Sequence, residues 1–207
     1  RLTNPTVSAL EEKVAALEDG RGAVACATGH AAQMLAMYVL MNPGDNFVAS
    51  RNLYGGSITQ FSHAFKKFGW NVNFIDPHDP ENFRDAIDAD TKAIFIEVLA
   101  NPGGIILDLE PIAAIANEAG IPLIVDNTMA TPYLCRPFEW GADLITHSMT
   151  KFLGGHGTSM GGIVVESGKF DWAQNDKFPA LTEPDPAYHG LTFYETFGDF
   201  GFSTKAK

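Results

Sequence analysis

Apolar residues fall in two rhythms along this chain. Short apolar runs, most of them rich in Val, Ile and Ala, occupy Gly22–Cys26, Asn46–Ser50, Asn71–Ile75 and residues 92–98, 121–126, 143–146 and 161–165, and each reads as a strand, Gly22–Cys26 as a buried one. Between them lie longer stretches suited to helices, over residues 31–41, 57–68, 80–87 and 109–119. A further helix is predicted over residues 7–17, where Val7, Leu10, Val14 and Leu17 recur at helical spacing and Asp19-Gly20 supplies a stop. Strands alternating with helices of about ten residues predict an α/β fold, a mostly parallel sheet with helices on both faces. Ligands of such sheets sit beyond the carboxyl ends of the strands. Gly29, Asn101, Asp126 and Lys151 all fall at or just after predicted strand ends, so one crevice can collect them. Residues 169–207, dense in aromatics, prolines and acids with weak periodicity, read as an irregular excursion that forms an interface or covers an active site.

Composition narrows the classes. With 207 residues and 45% hydrophobic content the chain can bury one full core. Its 14 basic against 25 acidic residues, a formal net charge of -11, oppose a nucleic-acid backbone or an anionic membrane as partner. Cys26 and Cys135 form no C-x-x-C pair, which suggests neither a disulfide framework nor a zinc site and suits a reducing cytoplasm. No H-E-x-x-H spacing occurs, so His147 and His156 read as structural residues and no metal is expected. No apolar run has the length of a membrane span, and no basic-then-apolar leader opens the sequence. The start at Arg1 and the uncapped end at Lys207 lead us to expect a longer parent sequence.

Lys151 is the residue best placed for chemistry. It lies in Ser148-Met149-Thr150-Lys151-Phe152-Leu153-Gly154-Gly155, just after a strand end, between two hydroxyls and a glycine pair. A lysine that forms a Schiff base must lose its proton, and desolvation or a neighbouring charge can bring this about. Thr28-Gly29-His30 at a helix start offers backbone N–H groups and a positive dipole end, and with the Ser148 and Thr150 hydroxyls it could cradle a phosphate. Asp126 ends the most apolar strand, where a buried carboxylate needs a cation or strong donors; capping of the Asn127-Thr128 turn is the plainer alternative. Tyr54, in Asn52-Leu53-Tyr54-Gly55-Gly56, is either an exposed turn residue or a ring that stacks on a planar cofactor. Pyridoxal phosphate needs an imine-forming lysine, an acid for its ring nitrogen, an aromatic face and an anion cradle together.

Six ordered motifs carry a resemblance: Arg1-Leu2-Thr3-Asn4-Pro5-Thr6, Ala27-Thr28-Gly29-His30-Ala31-Ala32, Asn52-Leu53-Tyr54-Gly55-Gly56, Asn101-Pro102, Val125-Asp126-Asn127-Thr128 and Ser148-Met149-Thr150-Lys151. Through them the chain resembles the Cys/Met-metabolism family of pyridoxal-phosphate enzymes, with the type I, aspartate-aminotransferase-like fold. The resemblance implies that Lys151 holds the cofactor covalently, that Asp126 pairs with its pyridine nitrogen, and that Tyr54 stacks on the ring and helps in proton transfer. It implies further that Asn101 lies near the phenolic oxygen and that Gly29, His30, Ser148 and Thr150 bind the phosphate. Arg1 matches an arginine that reaches the phosphate of a neighbouring subunit, which implies a homo-oligomer, a dimer at least and typically a tetramer. Ala100-Asn101-Pro102-Gly103-Gly104, residues 178–184 and Tyr188-His189-Gly190 look most like the O-acetylhomoserine sulfhydrylase branch, whose substrates are an amino acid and sulfide or a thiol. Methionine γ-lyases usually have cysteine where this chain has Gly56. The family's N-terminal segment and its C-terminal small domain have no counterpart in residues 1–207, which correspond to the cofactor-binding large domain.

Other readings stay open at this level. Ser148-x-x-Lys151 fits a serine acyl-transferase motif, although the S-D-N and K-T-G companions are absent. A dinucleotide fold lacks its G-x-G-x-x-G after the first strand. Cystathionine γ-synthase or γ-lyase activity, or cofactor binding without turnover, would use the same residues.

Overall fold

The structure, a computed structural model, describes residues 4–207. Helix α1 (Pro5–Glu18) leads into strand β1 (Gly22–Cys26), followed by α2 (Gly29–Leu40), β2 (Asn46–Ser50), α3 (Gly55–Thr59), β3 (Asn71–Ile75), α4 (Glu81–Ala86), β4 (Thr91–Glu97), α5 (Leu109–Glu118) and β5 (Leu123–Asp126). After α6 (Thr131–Leu134) come β6 (Leu144–Ser148), β7 (Gly162–Glu166) and the short helices α7 (Pro179–Thr182), α8 (Phe193–Phe197) and α9 (Gly201–Ala206). The seven strands form one sheet in the order β1-β7-β6-β5-β4-β2-β3. Strand β7 runs antiparallel to both its neighbours, and the remaining pairings are parallel. Every residue of β2, β5 and β7 is buried, as a sheet covered on both faces requires.

Local chemistry explains the element ends. Asn4 caps α1, its Oδ1 accepting from the Thr6 amide at 2.9 Å, and Asp19 closes the helix in a left-handed conformation (φ 59°). The predicted apolar stripe of α1 is not its buried face. Val7, Leu10 and Leu17 are exposed, while Glu11, Val14, Ala15 and Glu18 face inward. The two acids are tied down: Glu11 accepts from the Ala25 amide of β1 at 2.9 Å, and Glu18 meets His147 Nε2 at 2.5 Å and Asn127 Nδ2 at 2.9 Å. Specific polar bonds therefore set the rotation of this helix more than its hydrophobic pattern does.

The single helix expected over residues 57–68 starts at Gly55 and changes winding, to π over Gln60–Ala64 and 3₁₀ over Phe65–Phe68. That change seats Phe61 edge-on to both Phe47 and Phe95, with ring centroids 5.0 Å apart in each pair. Residues 169–207 are not a detached cover. Phe170, Trp172, Phe178, Leu181, Phe193 and Phe202 are buried, Trp172 stacks on Phe202 at 5.7 Å, and α9 packs on α2, β1 and β7. None of the described helices is long and apolar enough to cross a membrane.

Candidate active site

Five chain segments end at the carboxyl edge of the parallel strands and enclose a cavity of about 640 Å³. Its lining includes Gly29, His30, Tyr54, Asn101, Asp126, Ser148, Thr150 and Lys151, so every predicted site residue within the described region meets there. Arg1 lies outside the described residues.

The anion cradle comes from the β1–α2 turn. Thr28 caps α2, its hydroxyl accepting from the Ala31 amide at 3.0 Å, which leaves the Gly29 and His30 amides as first-turn donors without an intrahelical acceptor. A Cβ on Gly29 would lie 2.6 Å from the Ser148 Cβ, so glycine is what lets this helix start approach the end of β6. The Ser148 amide donates to Thr128 Oγ1 at 2.8 Å, and its own hydroxyl is left for a ligand. Thr150 differs from expectation, because its hydroxyl already bridges the Gly161 backbone, accepting from the amide at 3.1 Å and donating to the carbonyl at 3.3 Å. It can turn to an anion by giving up the longer bond.

Asp126 caps the turn that follows it and also accepts two neutral side-chain donors. One carboxylate oxygen caps the following turn through the Thr128 amide at 3.0 Å, and the other accepts from Gln33 Nε2 and Thr146 Oγ1, each at 3.2 Å. No lysine, arginine or histidine among the described residues forms an ion pair with it, although it is buried. Its neighbour is another acid: Glu97 pairs with it across β4 and β5. Burial, and then the Asp126 charge, push the Glu97 carboxyl up to about 7. A buried, cation-free carboxylate facing a cavity calls for a positive group in the ligand.

The rim is open. Tyr54 is half exposed, its ring 6.0 Å from that of His30 and tilted by 32°, and Asn101 is exposed on the turn after β4. Lys151 is also exposed, on a turn fixed by its amide's bond to Ser148 O at 3.1 Å.

Glu97 and Gln33 were not anticipated. Gln33, inside α2, donates to both Ser57 Oγ and Asp126 Oδ2, while its buried Oε1 has no partner. An amide on the buried face of an otherwise apolar helix was the signal available in the sequence. That unmatched acceptor, the glycine-built cradle and the uncompensated Asp126 together fit a flat, phosphorylated, cationic-ring cofactor.

Comparison with known proteins points to the same cofactor. A family profile described as Cys/Met metabolism PLP-dependent enzyme matches residues 1–193. An O-acetyl-L-homoserine sulfhydrylase of Leptospira meyeri is 50% identical over 200 residues, covering 97% of this chain and 45% of that protein. A homocysteine/cysteine synthase of Saccharomyces cerevisiae is 46% identical, covering 98% of this chain and 46% of the yeast protein. Among solved structures, an O-acetylhomoserine sulfhydrylase of Wolinella succinogenes superposes with TM-score 0.85 at 35% identity, over 99% of this chain and 54% of its own. A Campylobacter jejuni protein assigned as an O-acetylhomoserine (thiol)-lyase, solved with N′-pyridoxyl-lysine-5′-monophosphate, gives TM-score 0.93 at 38% identity, over 99% of this chain and 52% of its own. The chain thus spans about half the length of the relatives it matches. On the family match, the shared fold and this extent of identity, the chain belongs to the Cys/Met metabolism PLP-dependent enzymes.

Proposed function

We propose that residues 1–207 are the cofactor-binding large domain of a pyridoxal-phosphate enzyme that converts O-acetylhomoserine and sulfide to homocysteine and acetate. The observation that carries this reading is the convergence of the Gly29–Ser148 cradle, Asp126 and Lys151 on one cavity, with no cation among the described residues paired to the buried Asp126. The sulfhydrylase and homocysteine synthase names of relatives at 44–50% identity support the substrate pair. Glycine at position 56, where methionine γ-lyases usually have cysteine, argues against a dedicated lyase.

Bound in the cavity, pyridoxal phosphate would supply an aldehyde that condenses with amines and a ring that delocalises charge from a substrate carbanion. The chain's own residues do the rest. Gly29 and His30 amides with the Ser148 and Thr150 hydroxyls hold the phosphate, joined by Arg1 on the strength of the resemblance. Asp126 keeps a proton on the ring nitrogen, and Gln33 and Thr146 keep Asp126 in place. Tyr54 covers one ring face, and Asn101 donates toward the phenolic oxygen. Lys151 would anchor the cofactor at rest and, when free, would remove the substrate's Cα proton. Tyr54 would serve as acid–base partner for the Cβ proton whose loss expels acetate from Cγ; after sulfide adds at Cγ, protons would return to Cβ and Cα.

The open rim supports assembly from more than one chain. Ile106, Leu134 and Trp140, all exposed, line a second apolar cleft that shares Leu99 with the site, and Tyr133, next in sequence to Leu134, is 91% exposed. We read the protein as a cytoplasmic homo-oligomer, a dimer of active-site partners that doubles to a tetramer. The test is to add pyridoxal phosphate to the full-length protein and follow visible absorbance and homocysteine formation. A cofactor band with sulfide-dependent homocysteine is expected. A band with a 2-oxo acid and no homocysteine would favour γ-elimination, and no band at all would overturn the reading.

A further inference from the structure

Glu97 has no role in the scheme above, yet it is only 5% exposed at the floor of the cavity and both its oxygens are committed. Oε1 accepts from the Tyr54 amide at 2.7 Å, and Oε2 accepts from the Asn101 amide at 3.0 Å. Those amides belong to the turns after β2 and β4, which carry two opposing features of the cleft. Among the described residues no other hydrogen bond joins residues 52–56 to residues 99–104. A single carboxylate is the polar link between the Tyr54 and Asn101 turns.

We propose that Glu97 is a positioning residue that fixes the spacing of Tyr54 and Asn101 and grips both turns more tightly when a cation seats beside Asp126. Glu97 and Asp126 end adjacent parallel strands in register, about 4.8 Å apart by strand spacing. The repulsion between them, added to burial, brings Glu97 into balance between neutral and ionised forms near neutrality. Ionised, it accepts from both amides about twice as strongly as a neutral acid. A cation at Asp126 relieves the repulsion and favours that form. Asp126 on β5, Tyr54 on the β2 turn, His30 on α2 and Lys151 beyond β6 are the titratable groups around the same cavity. Only the identity of the cation, the cofactor's ring nitrogen, rests on the function proposed above.

The test has a cofactor-free arm. Amide NMR of the chain without pyridoxal phosphate, followed through pH 5–9, is expected to show Tyr54 and Asn101 shifting together with one midpoint near 7, and Glu97→Gln is expected to abolish the shift. Gln keeps one acceptor but opposes the second amide with a donor, so its affinity for pyridoxal phosphate is expected to fall about tenfold. The visible circular dichroism of the bound cofactor should change with it, a signature that loss of stability alone would not give. Separate midpoints, or no titration, in the wild-type chain overturn the proposal whether or not the variant folds. Unchanged cofactor affinity and dichroism in Glu97→Gln overturn it too. Joint titration in a wild-type chain that binds no pyridoxal phosphate supports the Glu97 link and overturns the cofactor reading alone.

Discussion

Gly29 and Ser148 approach so closely that a side chain on the first would have to enter the second: an added Cβ would sit 2.6 Å from Ser148 Cβ and 3.0 Å from its Cα. The contact brings the start of α2 against the end of β6 and aims two free amides and one hydroxyl at a common point. Because the obstruction includes backbone, a Gly29→Ala substitution must push the helix start away from the strand. We expect a loss of at least tenfold in pyridoxal phosphate affinity, measured by absorbance titration, with inorganic phosphate competing less well than in the wild type.

Gly56 has a similar but softer constraint. A Cβ there would fall 2.4 Å from Tyr54 Cε1 and 2.8 Å from His30 Cε1, both at the ends of mobile rings. Gly56→Cys should therefore fold normally and displace Tyr54. The expected outcome is a changed cofactor dichroism and a raised ratio of elimination to replacement products; an unchanged ratio would detach Gly56 from reaction choice.

Glu18 and His147 form a wholly buried pair that ties α1 to β6, with Asn127 sharing the same carboxylate oxygen. Removing one partner strands the other in a dry interior. His147→Ala should lower stability by about 3–5 kcal/mol, read from urea denaturation, whereas Glu139→Ala, which breaks an exposed pair with Arg136, should change it by less than about 1 kcal/mol.

Glu166, buried in β7, accepts from the Ser203 amide at 2.9 Å. Burial pushes its carboxyl up from 4.5 to about 7. The folded chain therefore holds this proton more firmly than the unfolded one, so the contribution to stability is full below pH 4.5 and is lost as pH rises through about 7. Glu166→Gln keeps an acceptor for Ser203 and removes the charge. It should match the wild type at pH 5 and exceed it by about 1–3 kcal/mol at pH 8.

Most of the sheet was legible because its strands are short apolar runs between turn signals: Gly22–Cys26, Asn46–Ser50 and the half-buried edge strand Asn71–Ile75 were read at their observed bounds. The direction of β7 was not, since Gly162–Glu166 has the same apolar composition as the strands that pair in parallel and only the helix-free connection before it hints at a reversal. The fit of residues 169–207 into the core escaped notice because their aromatics pack from turns and helices of three to six residues, too short to show a period. Site residues that hold a ligand by side-chain type, such as Lys151 and Asp126, stand out in the sequence. Glu97 does not, because its partners are backbone amides that only the folded sheet brings within reach.

The account turns on Lys151 as the covalent anchor of pyridoxal phosphate. Borohydride reduction of the protein incubated with the cofactor, followed by peptide mass mapping, tests it most directly. A single pyridoxyl group on Lys151, lost in Lys151→Ala, is the predicted result; reduction that labels surface lysines such as Lys66 and Lys67 to the same extent, with Lys151 unmodified, would contradict it.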